Sequence, residues 1–222
     1  MNSPIVSIID YGMGNLFSVN QACSHVGIQA RITAKKEDIL NSDAAILPGV
    51  GAFGDAMLNL EKLGLISPIL DFVKSAKPFM GICLGMQLLF SESEEFGIHK
   101  GLNIIPGRVV RFTNNSKEKA KVPQVGWNRI SNPSSKRNLW QESPLSGINK
   151  GEFMYFVHSF YCIPENKEII LSNSKYSGTE YASSILVKNI FASQFHPEKS
   201  GNCGLKIYKN FKKTISKEDA YE

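Results

Sequence analysis

Cysteine is scarce in this sequence: Cys23, Cys83, Cys162 and Cys203 are the only four among 222 residues. Their spacings match no zinc-ligand pattern, and so few thiols cannot staple a small secreted scaffold. The chain therefore reads as a protein of a reducing, cytoplasmic setting. Long apolar runs are missing too. None reaches the roughly 20 residues of a membrane helix. The opening MNSPIVSIID lacks the basic flank and long apolar core of a signal peptide. Charge of one sign is not concentrated. The net charge of +5 is scattered apart from Lys209, Lys212 and Lys213, and nucleic-acid binding asks for a basic stripe with interleaved aromatics or a known module. Membrane and nucleic-acid partners are not expected. What remains is a globular composition, 42% hydrophobic and 20% charged, at a length that fits one well-buried domain over 1–222.

The first half alternates strand and helix signals. Apolar runs at 5–9, 28–33, 44–47 and 78–83 read as short strands. Leu16, Val19, Cys23 and Val26 recur at helical spacing before Gly27, a helix stop. Further helical patterns cover 54–63 and 67–75, and 84–90 reads as an amphipathic helix. Such alternation predicts a parallel sheet covered on both faces, with sites gathering at the carboxyl ends of its strands. The second half reads as strands at 104–112, 124–130, 153–161, 168–172, 182–187 and 190–194. A long Ser-, Asn-, Pro- and Gly-rich loop lies at 131–151, a last helix spans 204–215, and 217–222 reads as a frayed end.

Chemistry concentrates in Phe79-Met80-Gly81-Ile82-Cys83-Leu84-Gly85-Met86-Gln87. A nucleophile with glycines two residues to either side, between a strand and a helix, is a nucleophile elbow. The sharp turn exposes the side chain at the sheet edge, and the glycines let neighbouring backbone pass. The following helix start favours a thiolate at Cys83 and aims the Leu84 amide at a developing oxyanion. A nucleophilic Cys needs a base and something to orient that base. Of His25, His99, His158 and His196, the last stands in Ser193-Gln194-Phe195-His196-Pro197-Glu198. In extended chain, residues two apart share a side, so His196 and Glu198 can face one site. Glu198 would take one ring nitrogen and leave the other for Cys83.

These two segments, in this order, resemble the class I glutamine amidotransferases. Asp10-Tyr11-Gly12-Met13-Gly14-Asn15, Pro48-Gly49-Val50-Gly51, Gly126-Trp127-Asn128 and Tyr155-Phe156-Val157-His158-Ser159 narrow the resemblance to the glutaminase subunits of imidazole glycerol phosphate synthase. It covers nearly the whole chain. Gln124 stands where that pattern would have His. The resemblance implies an α/β fold, a flavodoxin-like parallel sheet core with an additional antiparallel sheet. It implies a Cys83–His196–Glu198 triad that hydrolyses glutamine through a thioester, with no cofactor and no metal. Gly49, Val50, Gly51 and Leu84 would form the oxyanion site. Gln87, Ser159 and Phe160 would hold the substrate, and His158 would serve packing. The implied partner is a (β/α)8-barrel cyclase, forming a heterodimer that uses the ammonia in histidine biosynthesis, with Tyr11, Asn15, Trp127 and Lys199 facing it. Paralogous subunits feed ammonia to an amidotransferase acting on surface-polysaccharide sugars, so the resemblance leaves two acceptors open.

Overall fold

The computed structural model describes residues 4–113, 121–133 and 139–216; the end expected to fray at 217–222 lies outside them. In chain order the elements are β1 (Ile5–Ile9), α1 (Leu16–His25), β2 (Gln29–Thr33), α2 (Lys36–Asn41), β3 (Ala44–Gly49), α3 (Phe53–Lys62), α4 (Ile66–Lys74), β4 (Phe79–Cys83), α5 (Leu84–Gln87), β5 (Phe90–Ser93), β6 (His99–Lys100), β7 (Ile105–Arg111), β8 (Gln124–Arg129), β9 (Phe153–His158), β10 (Phe160–Pro164), β11 (Ile170–Tyr176), β12 (Thr179–Val187), β13 (Ile190–Ser193) and α6 (Gly201–Ser216).

A seven-stranded sheet in the order β11-β12-β13-β4-β3-β1-β2 forms the centre. Its last five strands are parallel and carry the doubly wound order, whereas β11 and β12 extend it antiparallel. The central strands β1, β3, β4 and β13 are buried on both faces, as a sheet covered on both sides requires, whereas the edge strand β2 is largely exposed. In β3, Ala44 and Ile46 enter one core cluster while Ala45 and Leu47 enter the other. Val19 and Cys23 of α1 and Ile207, Tyr208 and Phe211 of α6 pack on the first face. Ile39 of α2, Ala56 and Leu60 of α3, and Ile69 and Phe72 of α4 pack on the second. Beside this core lie a four-stranded sheet, β10-β7-β5-β6, and the antiparallel pair β8-β9. The added pairings are antiparallel except β5 with β7.

Several expected elements differ. The helix expected over 84–90 stops after Gln87, because Phe90 pairs with Ile105 and enters the second sheet. The strand expected over 153–161 is two. His158 pairs with Gln124 and Phe160 with Arg111, in different sheets, and the chain passes between them at Ser159. The loop expected over 131–151 is anchored where it is described: Trp140 is buried and its indole N–H donates to the Leu171 carbonyl at 2.7 Å.

Candidate active site

Parallel β3 and β4 end side by side, Gly49 opposite Cys83, at the carboxyl edge where α/β folds place their sites. Cys83 takes φ 55° and ψ −111°. A non-glycine residue there carries backbone strain on the order of 1–3 kcal/mol, which the surroundings impose. Close approach explains both flanking glycines: a Cβ at Gly85 would collide with the Leu47 carbonyl, and one at Gly81 would lie 3.1 Å from the Gly85 oxygen and the Ala192 Cβ. The elbow is therefore built as its residue types imply. Cys83 is 6% exposed, and its sulfur lies 3.6 Å from Gln194 Nε2 and 3.8 Å from the Val157 carbonyl.

His196 and Glu198 meet. His196 Nδ1 and Glu198 Oε1 are 2.7 Å apart with both side chains covered. The reason is not strand alternation: Pro197–Lys199 is a short 3-10 turn that folds the carboxylate back onto the ring. Ser200 fixes the turn, its hydroxyl donating to the His196 carbonyl at 2.7 Å and accepting from the Tyr155 N–H at 3.0 Å. The buried Nε2 has no hydrogen bond. Burial favours the neutral ring, but charge on the nearby Cys83 sulfur and on Glu198 outweighs it, and the His196 pKa is pushed up. The arrangement can hold a proton on Nε2 and give it to a group leaving the Cys83 adduct.

Beside Cys83 lies a cavity of about 230 Å³ whose walls include Val50, Gly51, Leu84, Gln87, Ser159 and Phe160. All six were expected there from sequence. Gly49 sits behind that wall, buried at the end of β3. Gln87 is turned to structural use: its Nε2 donates to the Phe160 carbonyl at 3.0 Å and to Gln194 Oε1 at 2.9 Å. Two polar side chains, one lining the cavity and one contacting Cys83, escaped sequence reading. Glu95 brings a carboxylate to the cavity, with its Oε2 accepting from the Phe53 N–H at 2.7 Å. Its signal was only an acidic stretch, Glu92, Glu94 and Glu95. Gln194 was hidden as an ordinary strand-end residue.

The residues expected at a partner surface divide. Trp127 is 56% exposed and Lys199 is exposed, its Nζ 5.8 Å from the Tyr155 ring. Asn15 is half-buried and caps α1, accepting from the Ser18 N–H at 3.4 Å. Tyr11 departs from the expectation: it is 1% exposed, because its ring fills the core beside Leu47 and Leu84, so it cannot itself present a surface.

His158 reaches the cavity wall and is fixed there by packing. Its Nδ1 donates to the Phe160 carbonyl at 2.8 Å, and its ring stacks among Phe112, Phe156 and Tyr181. Gln124 lies beneath, accepting from the Tyr181 hydroxyl at 3.0 Å. Burial holds His158 down at about 4, with the charge of His196 adding and the Phe160 carbonyl opposing. Between its ordinary value of 6.5 and about 4, the unfolded chain takes up a proton that the fold refuses. Stability present above 6.5 is therefore lost as pH falls through that window, by about 3 kcal/mol in all. Urea unfolding across pH should show His158→Gln with a shallower acid slope than the parent. An unchanged slope would place the acid sensitivity elsewhere.

The fold and the Cys–His–Glu geometry together define an α/β protein with a cysteine nucleophile at a strand end, a histidine base and an orienting carboxylate. The family description "Glutamine amidotransferase class-I" matches residues 7–214, and the chain belongs to that family. Among curated relatives, it is 47% identical over 211 residues to the imidazole glycerol phosphate synthase subunit HisH of Syntrophotalea carbinolica, covering 93% of this chain and 98% of that one. It is 46% identical to the subunit of the same name from Geobacter metallireducens, covering 93% and 96%. Among solved structures, PurLQS from Thermotoga maritima superposes with a TM-score of 0.67 at 19% identity, covering 97% of this chain and 99% of that one. The glutaminase domain of Trypanosoma brucei CTPS gives 0.63 at 15%, covering 96% and 94%. At those identities the structures speak for the fold alone.

Proposed function

We propose that this chain is the glutaminase subunit of an imidazole glycerol phosphate synthase, supplying ammonia to a cyclase subunit in histidine biosynthesis. The observation that carries the chemistry is the free His196 Nε2, held by Glu198 beside a nucleophile at the tip of an elbow. The Cys83 sulfur attacks the side-chain amide carbon of glutamine. The tetrahedral oxyanion is met by the Leu84 amide and, once aimed inward, by the Val50 amide. His196 gives its proton to the departing ammonia, leaving a glutamyl thioester on Cys83. Water then attacks with His196 as base, glutamate leaves, and the thiolate and imidazolium are restored. Relatives bearing the synthase-subunit name at 46–47% identity favour this acceptor over a polysaccharide sugar.

A partner has a surface to cover. The β8-β9 pair buries one face and exposes the other: Val125 at 61%, Trp127 at 56%, Phe153 at 44% and Val157 at 36%. This apolar face lies directly behind the Val157 carbonyl that contacts Cys83. Contiguous exposed apolar surface marks an interaction site. We assign it to the (β/α)8-barrel cyclase, with Lys199 and Asn15 alongside, in a heterodimer. Among the described residues no helix is long and apolar enough to cross a membrane, and four free thiols fit a cytoplasmic enzyme.

The isolated chain is at rest. The Val50 N–H donates to the Met13 carbonyl at 3.4 Å, so it is committed to the loop after β1 instead of the oxyanion. Docking of the ligand-loaded partner turns that peptide. Losing one oxyanion donor costs roughly 10²–10³ in rate. Steady-state glutamine hydrolysis should therefore rise by about that factor when partner and acceptor ligand are both added. If the chain alone is as fast as the loaded complex, the resting state does not exist.

A further inference from the structure

Tyr11 is buried, yet its hydroxyl has no hydrogen-bond partner, an arrangement folds normally avoid. The hydroxyl lies against the oxyanion strand, in the space that a Cβ on Gly49 would need. Burial first, and charge on Cys83 second, push its pKa up, so it keeps a proton to donate.

The Gly49–Val50 peptide is planar. With its N–H toward Met13, its carbonyl points the opposite way. Turning the N–H into the site swings the Gly49 carbonyl to the loop side. There it would meet the Met13 carbonyl, acceptor against acceptor, unless a donor waits. Gly49 and Gly51 let the peptide turn; Gly51 already sits at φ +100°. Among the described residues, buried side-chain atoms without a hydrogen bond include Tyr11 Oη, Gln124 Nε2, His196 Nε2, Glu198 Oε2 and Tyr208 Oη. Of these, only the Tyr11 hydroxyl lies in the space that a Cβ on Gly49 would need.

We propose that Tyr11 is a positioning residue of the oxyanion strand, its hydroxyl donating to the Gly49 carbonyl once the peptide has turned and so stabilising the hydrolysing conformation. The orphan of the resting chain becomes a bonded group in the active one. This rests on the reading of the chain as a partner-activated glutaminase.

The test compares Tyr11→Phe with wild type as full-length chains in complex with the cyclase partner and its acceptor ligand. The ring is kept, so the core stays filled. The expected result is a kcat for glutamine hydrolysis lowered roughly 5- to 150-fold, the cost of leaving one buried carbonyl unpaired, with KM unchanged. The melting temperature of the chain alone should be equal or higher, since an unpaired hydroxyl is removed, and synthesis driven by ammonium salt should be unaffected. A stimulated wild type with an equally fast Tyr11→Phe overturns the role of Tyr11 alone. A lower kcat accompanied by a lower melting temperature also overturns it, because packing then explains the loss. A wild type that the loaded partner does not stimulate overturns the underlying reading, and the proposal with it.

Discussion

Cys83→Ala is expected to remove glutamine hydrolysis, a loss on the order of 10⁶-fold by comparison with serine-protease triads. No other thiol can substitute. Cys23 and Cys162 are buried, with pKa values pushed up by burial, and Cys203 lies on α6, away from the cavity lining. The substitution removes one sulfur from a residue packed at a sheet edge and should leave the fold and the β8-β9 surface intact. The complex carrying it should still make product from ammonium salt. Retained hydrolysis would remove Cys83 from the mechanism. Lost ammonia-driven synthesis would mean that the site also holds the partner in its working shape.

His196→Ala should cost roughly 10⁶-fold in kcat/KM and Glu198→Ala roughly 10⁴-fold, the ratio seen when base and orienting carboxylate play unequal parts. His196 moves protons in both half-reactions. Glu198 holds the ring at 2.7 Å and helps to raise its pKa. Without that carboxylate the imidazolium is lost at a lower pH. Glu198→Gln, which keeps the shape, should therefore move the alkaline limb of the kcat/KM profile downward. Equal losses for the two alanine variants would make them one inseparable unit, and a larger loss at Glu198 would reverse the roles.

The first half of the fold was legible because its central strands are buried and apolar on both faces and its helices carry periodic stripes. α2 was not, since Ile39 is its only buried residue and leaves no period to read. β5 was masked by Leu88, Leu89 and Phe90, buried all round and equally compatible with a helix. The break at Ser159 has no local signal; it comes from pairing β9 and β10 with strands of different sheets. In the site, Cys83, Gly81 and Gly85 were readable because backbone geometry dictates their types. His196 and Glu198 were found by a spacing argument whose stated reason, an extended chain, gives way to a 3-10 turn. Glu95 follows β5 and is held by the Phe53 N–H at the start of α3, and only tertiary structure puts it on the same cavity as Cys83. Tyr11 shows the converse: its place in a surface motif hid a buried hydroxyl.

Amide-¹⁵N glutamine supplied to the complex isolated from its own cells, in buffer containing unlabelled ammonium, tests the central claim most directly. Nitrogen released at Cys83 should reach the imidazole product undiluted, so the product carries the label of the glutamine. A product whose nitrogen matches the bulk ammonium, or a co-purifying partner that forms no imidazole product, would contradict the assignment.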